Sequence, residues 1–205
     1  MSGPGDDGLI DEPLDEADVD ADPLVQAQRW YQDAIDAGLV QPDAMQLATS
    51  SSARTVLLKG IDARGFSFFT NYESRKGVEL AADPRCALVL LWKPLERQLT
   101  ATGIATRVSA EESDAYFATR PRGSQISTWV SRQSTVVPSR RALEEQLAEV
   151  EARHPDEVPR PPWWGGYVVE PVTVELWKGR RNRLHDRLRY RRDPTGAWIV
   201  ERLAP

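Results

Sequence analysis

The chain is nearly without cysteine and histidine: 205 residues include one cysteine, Cys86, and two histidines, His154 and His185. A single thiol excludes an intrachain disulfide and favours a reducing compartment. Cys86 also lies within the apolar run "CALVLLW", where burial makes a thiol an inert part of the core. No apolar run approaches the ~18 residues of a membrane span. The opening "MSGPGDDG" has neither a basic start nor an apolar h-region, so a soluble, cytoplasmic protein is expected, with no membrane contact. Basic residues are missing from residues 1–22, which carry nine acids and no Lys or Arg. Such a segment reads as a disordered acidic tail, leaving one folded domain over residues 23–205.

Removing that tail changes the electrostatic picture. The whole chain has a formal net charge of -5, yet residues 23–205 hold 26 bases against 22 acids, a net +4. At 40% hydrophobic and 28% charged, this part can bury a core of its own.

The order of elements is legible from periodicity. "DPLVQAQRWYQDAIDAG" has Asp22 to cap, Pro23 for the first turn and Gly38 as a stop, with Leu24, Ala27, Tyr31 and Ala34 on one helical face. Strands are expected at 44–49, 54–60 and 66–71, the last two joined by the turn "DARG". A short helix over 74–82 precedes "RCALVLLW" and the alternating "RQLTATGIATRV". Ser109 and Glu112 form a capping box, and a further helix starts at Ser139. After the connector "PDEVPRPP", strands return in "YVVEPVTVELW", "RLRYRR" and "AWIVERL". Many antiparallel strands with inserted helices predict a small β-barrel of α+β class.

Against this background the stretch "GRRNRLHDRLRYRR" stands out, with seven arginines in residues 179–192. In "DRLRYRR" the bases alternate with Leu188 and Tyr190, which fits a strand with one apolar and one solvated face. A basic stripe with aromatics is also the footprint of nucleic-acid binding, weakened here by the acidity of the whole chain. Arg183, His185 and Arg187 are spaced i, i+2, i+4, so an extended backbone would aim all three to one side. A histidine between two arginines has its cationic form disfavoured and is suited to proton exchange near neutral pH.

Elsewhere, "RTVLLKG" sets Arg54 and Lys59 at the two ends of an apolar strand. "TNYESRKG" places Thr70, Ser74, Arg75 and Lys76 at a turn entering a helix, a setting that favours phosphate. "YFATRPRGSQISTWVSRQS" adds Tyr116, Arg120, Ser124, Gln133 and Ser134. Capping and solvation would explain each alone; together they point to a site for two phosphorylated, planar molecules.

These stretches, with "FFTNYESRKG", "WKPLERQ", "WWGGYVVEPVTVELWKGRRNRLHDRLRYRR" and the terminal "ERLAP", resemble the pyridoxine (pyridoxamine) 5′-phosphate oxidase family in order and over most of the chain. The resemblance implies an FMN-binding split β-barrel, mostly antiparallel with peripheral helices, in a homodimer whose flavin sites lie between subunits. It implies FMN contacts from Arg54, Thr55, Val56, Leu57, Phe69 and Thr70, phosphate contacts from Arg75 and Lys76, and further contacts from Gln98, Gln133, Ser134, Trp177 and Arg187. The substrate phosphate would fall to Lys59, Tyr116, Arg120 and Ser124, with Arg183 and His185 as catalytic residues holding the pyridine ring. No metal is implied.

The reaction so implied is oxidation of the 4′ carbon of pyridoxine or pyridoxamine 5′-phosphate to give pyridoxal 5′-phosphate. Hydride passes to the flavin, and dioxygen reoxidises it with release of hydrogen peroxide. Two features depart from the family. Its members commonly close an N-terminal Arg and Tyr over the substrate, and residues 1–22 contain neither. The turn "TSSSAR" before the first signature is also short, which bears on where Arg54 sits. Two other readings share the scaffold: a flavin oxidase of another planar anion, such as a phenazine precursor, and a non-catalytic carrier of FMN or pyridoxal phosphate. Retention of Lys59, Tyr116, Arg120 and Ser124 favours a phosphorylated vitamer.

Overall fold

A computed structural model describes residues 12–205. Its centre is a nine-stranded sheet in which every pairing is antiparallel. The strands are β1 (Ala44–Ala48), β2 (Ala53–Leu57), β3 (Gly60–Asp62), β4 (Gly65–Asn71), β5 (Arg85–Trp92), β6 (Arg97–Arg107), β7 (Trp164–Lys178), β8 (Asp186–Arg192) and β9 (Trp198–Arg202). They run in the order β2-β1-β5-β6-β7-β4-β3, and β8 and β9 extend from β7.

The 15-residue β7 makes this arrangement possible. It pairs with β6 along its length, while its first half also pairs with β4 and its second half with β8. Register shifts between Thr102 and Gly103, opposite Thr173 and Pro171, leaving Val172 unpaired and 55% exposed. Proline offers no N–H to a ladder, and Gly103 is needed because a Cβ there would meet the Glu170 carbonyl oxygen at 2.2 Å. Such a bulge bends a strand and curls the sheet toward a half-barrel.

Alternating burial in β5 and β6 sends Leu88, Leu90, Leu99 and Ala101 into the core with Leu47, Phe66, Phe68, Leu176, Leu188 and Tyr190, all fully buried. Helix α1 (Pro23–Asp36) covers this core with Leu24, Ala27, Trp30 and Ala34. Trp30 is the deep aromatic of that face, and Tyr31 packs at its margin. Helix α2 (Arg75–Ala82) follows β4. Helices α3 (Ala110–Thr119), α4 (Arg122–Val130) and α5 (Arg140–Arg153) form a second small core of Phe117, Ile126, Val150 and Val158 against Trp164.

The expected N-terminal tail differs from what is observed. Residues 1–11 lie outside the described residues, but residues 12–22 are docked on the body. Leu14 is 7% exposed in the main core, and its N–H donates to Asp186 at 3.1 Å. Arg202 binds Asp15 at 3.0 Å and Glu16 at 2.9 Å, Glu12 meets the buried Lys178 Nζ at 3.1 Å, and the Tyr190 hydroxyl donates to the Asp20 carbonyl. Leu14 and Val19 packed on the core, with a run of acids against C-terminal bases, offset the low hydrophobicity that argued for disorder.

Candidate active site

The β1–β2 hairpin closes through Thr49 N–H to Ser52 O at 2.9 Å and keeps register from Ala48↔Ala53 to Ala44↔Leu57. The short turn therefore leaves the strand intact. Beyond it a cleft of about 670 Å³ opens between β2, β4, α2 and the α3–α4 pair. Thr55, Val56, Leu57, Lys59, Phe69, Thr70, Lys76, Tyr116, Arg120, Ser124 and Gln133 all line it, so most of the residues singled out along the sequence meet there.

One wall is aromatic. Phe69 stacks on Tyr116 with ring centroids 3.9 Å apart and on Trp164 at 5.5 Å. Phe69 lies over its cross-strand partner Gly166, where a Cβ would come within 2.8 Å of the ring. Glycine at this position lets the ring lie down on β7.

Two cations in the cleft have no carboxylate partner among the described residues. Lys76 Nζ donates to Gln133 Oε1 at 2.8 Å, to Thr70 Oγ1 at 3.0 Å and to Ser74 Oγ at 3.3 Å, all neutral acceptors. Burial, reinforced by the nearby Arg54 charge, brings its pKa down to about 8. Arg120 donates to Thr128 Oγ1 at 2.7 Å and lies 4.6 Å over the Trp164 ring. Burial lowers its pKa as well. A partly desolvated cation without a counter-charge is unfavourable by itself, and a bound anion relieves it. Lys59 is different, since Asp43 holds its ammonium at 2.9 Å.

Arg54, Arg75 and Ser134 do not line the cleft, but each is next in sequence to a residue that does: Thr55, Lys76 and Gln133. Arg75 N–H donates to Ser134 Oγ at 3.2 Å, at the start of α2. The Arg54 guanidinium turns to Glu79 at 2.8 Å, with further bonds to Thr49, Ser52 and the Leu47 carbonyl.

The remaining expected residues form a second group outside the cleft. Gln98, Trp177 and Arg187 are direct neighbours across β6, β7 and β8, which places them in one row on one face. Arg187 Nε is held by Glu175 at 2.8 Å and its Nη1 donates to the Ala204 carbonyl. The His185 ring lies 4.7 Å from Trp177, and His185 Nδ1 accepts from the Arg180 N–H at 3.1 Å, which puts the ring proton on Nε2.

The extended reading of residues 183–187 requires correction. A 3-10 turn, Arg181–Arg183, precedes β8, with Asn182 at φ 56° and Arg183 at φ 61° in the left-handed region. Arg183, His185 and Arg187 thus do not alternate along one strand, although His185 and Arg187 share the neighbour Trp177. Several cleft residues were not anticipated: Asn71, Thr119, Pro121, Ser127, Thr128, Ser131 and Trp164. Asn71 lies inside "FFTNYESRKG" beside Thr70, a signal that was available. Thr128 becomes visible only once α4 is known to be a helix that turns it toward Arg120.

Comparison with known proteins identifies the family. Residues 31–154 match the family model described as pyridoxamine 5′-phosphate oxidase. Residues 164–205 match the pyridoxine 5′-phosphate oxidase C-terminal dimerisation region. A pyridoxine/pyridoxamine 5′-phosphate oxidase of Salinibacter ruber is 58% identical over 195 residues, covering 91% of each chain. One of Rubrobacter xylanophilus is 56% identical over 198 residues, covering 94% of this chain and 91% of the relative. Among solved structures, PhzG from Burkholderia lata in complex with tetrahydrophenazine-1-carboxylic acid superposes with TM-score 0.90 at 33% identity, covering 97% of this chain and 100% of that one. An FMN-binding protein of Nostoc punctiforme, related to pyridoxamine 5′-phosphate oxidase, shares the fold at TM-score 0.72 and 18% identity, covering 91% and 100%. With two family models spanning most of its length and relatives above half identity, the chain belongs to the pyridoxine/pyridoxamine 5′-phosphate oxidase family.

Proposed function

We propose that the protein oxidises pyridoxine or pyridoxamine 5′-phosphate to pyridoxal 5′-phosphate, using FMN and dioxygen and releasing hydrogen peroxide, with water consumed and ammonia released when the substrate is the amine. The observation that carries this reading is the pair of half-buried cations, Lys76 and Arg120, facing one cleft without carboxylate partners among the described residues. Two uncompensated charges fit two phosphoryl groups, one on a cofactor and one on a substrate.

The donor set fits FMN. Lys76, with Arg75 and Ser134 next to the lining residues, would take its phosphate, and Arg54 would add fixed positive charge beside Lys76. Thr55, Val56, Leu57, Phe69, Thr70 and Gln133 would hold the rest of the molecule in the cleft. When bound, FMN supplies the two-electron chemistry that no side chain here offers. Arg120, Tyr116, Ser124 and Lys59 would bind the substrate phosphate at the aromatic wall, and that wall would shield the reacting ring from water.

Gln98, Trp177, Arg187, Arg183 and His185 lie outside the cleft of their own chain. All but Gln98 fall in the region matched as a dimerisation region, and Gln98 is the cross-strand neighbour of Trp177. In a homodimer these residues of a second copy would complete the cleft: Arg183 would orient the pyridine ring, and His185, with its proton on Nε2, would position or exchange a proton at the substrate.

The superposition with PhzG supports one rival, oxidation of a planar carboxylate. The purified protein separates them: anaerobic addition of pyridoxine 5′-phosphate is expected to bleach the flavin absorption, with peroxide appearing on admission of air. A colourless protein that FMN cannot reconstitute, or bleaching only by an unphosphorylated planar acid, would overturn the proposal.

A further inference from the structure

The turn "TSSSAR" and helix α2 meet at one carboxylate. Glu79 Oε2 accepts from Thr49 Oγ1 at 2.5 Å and from Arg54 Nη2 at 2.8 Å, while Oε1 accepts from Ser51 Oγ at 2.9 Å and from Arg75 Nε at 2.9 Å. Ser52 Oγ bridges both oxygens at 2.7 and 2.6 Å. A carboxylate has about four lone-pair positions, so these donors saturate it. The hydroxyls of Ser52 and Thr49, ahead of the other donors, hold Glu79 far below the usual carboxylate range, and it stays ionised.

Its two guanidinium partners are held in different ways. Arg54 has both terminal nitrogens engaged, by Leu47 O, Thr49, Ser52 and Glu79, and its side chain is 19% exposed. Arg75 is held through Nε, as the i,i+4 partner of Glu79, and its side chain is 63% exposed. Its terminal nitrogens have no partner among the described residues. Arg54, Arg75 and Lys76 against one carboxylate leave a net charge of about +2, which matches a phosphate of about −1.5 to −2.

We propose that Glu79 is a positioning residue for the phosphate end of the cleft: it anchors Arg75 through Nε so that both terminal nitrogens remain for a phosphate monoester, and it fixes Arg54 as a stationary charge behind Lys76. This rests on the reading of the cleft as a flavin-phosphate site. A carboxylate close to an anion site opposes the anion by its charge. Here its effect on guanidinium order outweighs that opposition, because an exposed arginine otherwise spends its rotamer freedom on binding.

Titration of the full-length apoprotein with FMN and with riboflavin, followed by quenching of flavin fluorescence, tests the claim. The unaltered protein is expected to prefer FMN strongly, and Glu79→Ala to lose about tenfold of that preference. Glu79→Gln, which keeps one acceptor oxygen without the charge, is expected to fall between, and Glu79→Asp to recover part of the loss. Riboflavin affinity should stay within about twofold throughout, a pattern that general damage to the fold would not produce. If Glu79→Ala fails to fold, Glu79→Gln carries the test. An unchanged or increased preference for FMN in the variants would overturn the proposal, the increase meaning that Glu79 only competes with phosphate. Equal affinity of the unaltered protein for FMN and riboflavin would instead refute the flavin-phosphate reading beneath it.

Discussion

Two regions of this molecule are rich in basic side chains, and they use them in opposite ways. Along the C-terminal strands Arg180 meets Asp186, Arg187 meets Glu175, Arg189 and Arg191 share Glu201, and Arg202 meets Asp15, Glu16 and Asp186. In the cleft, Lys76 and Arg120 meet, among the described residues, only neutral oxygens and ring faces. The densest run of arginines in the sequence is thus mostly neutralised, while two isolated cations keep their charge for a ligand. Binding capacity follows the missing counter-ion and not the local count of bases.

The largest effect that would sharpen this contrast is a crossed pair of substitutions. Lys76→Met is expected to weaken FMN by roughly 2 to 3 kcal/mol, about 30- to 160-fold, with riboflavin little affected. Arg120→Met should leave flavin binding intact and raise KM for pyridoxine 5′-phosphate by a similar factor, read by steady-state peroxide release. If the two substitutions gave the same phenotype, the cleft would not contain separate phosphate positions.

A smaller effect comes from pH. Lys76 has its pKa lowered to about 8 in the ligand-free protein, so its positive charge is present below pH 8 and lost above it. FMN affinity should therefore hold from pH 7 to 8 and fall above pH 8 by up to about tenfold per unit. Riboflavin should show no such fall, and Lys76→Arg should abolish it for FMN. A fluorescence titration at pH 7, 8 and 9 decides the matter.

The smallest effect belongs to the paired strand. Arg189→Ala is expected to change FMN affinity and KM by less than about twofold and unfolding free energy by under about 1 kcal/mol, measured by denaturant titration. A large loss of flavin would break the comparison from the other side.

Legibility followed the same division. Strands β5, β6 and β8 were readable because a half-buried strand imposes a period of two on apolar residues, and the caps at Asp22, Ser74, Ser109 and Ser139 marked the helices that follow them. Helix α4 was hidden: it starts after Pro121, has no side-chain cap and contains Gly123 with several poor helix formers, so its stability comes from Ile126 in the small core. The turn at Asn182 and Arg183 was hidden for another reason, since alternation of bases suggested extension while the left-handed backbone breaks it. The cleft residues were named largely through family resemblance. The missing counter-ions, and the convergence of a serine turn on Glu79, arise from contacts between segments about 25 to 63 residues apart, which no local pattern records.

The docking of residues 12–20 across β8 and β9 also sets an order of events during synthesis. Leu14, Asp15 and Glu16 find their partners at Asp186 and Arg202, 172 to 188 positions downstream. Those partners are made after residues 12–20, so this stretch must wait for the β8–β9 hairpin before it can dock. Asp186, next to His185 in the chain, gains its bonds from Leu14 and Arg202 in that closing step, and a chain cut short before Arg202 would leave Leu14, Asp15 and Glu16 without that anchor.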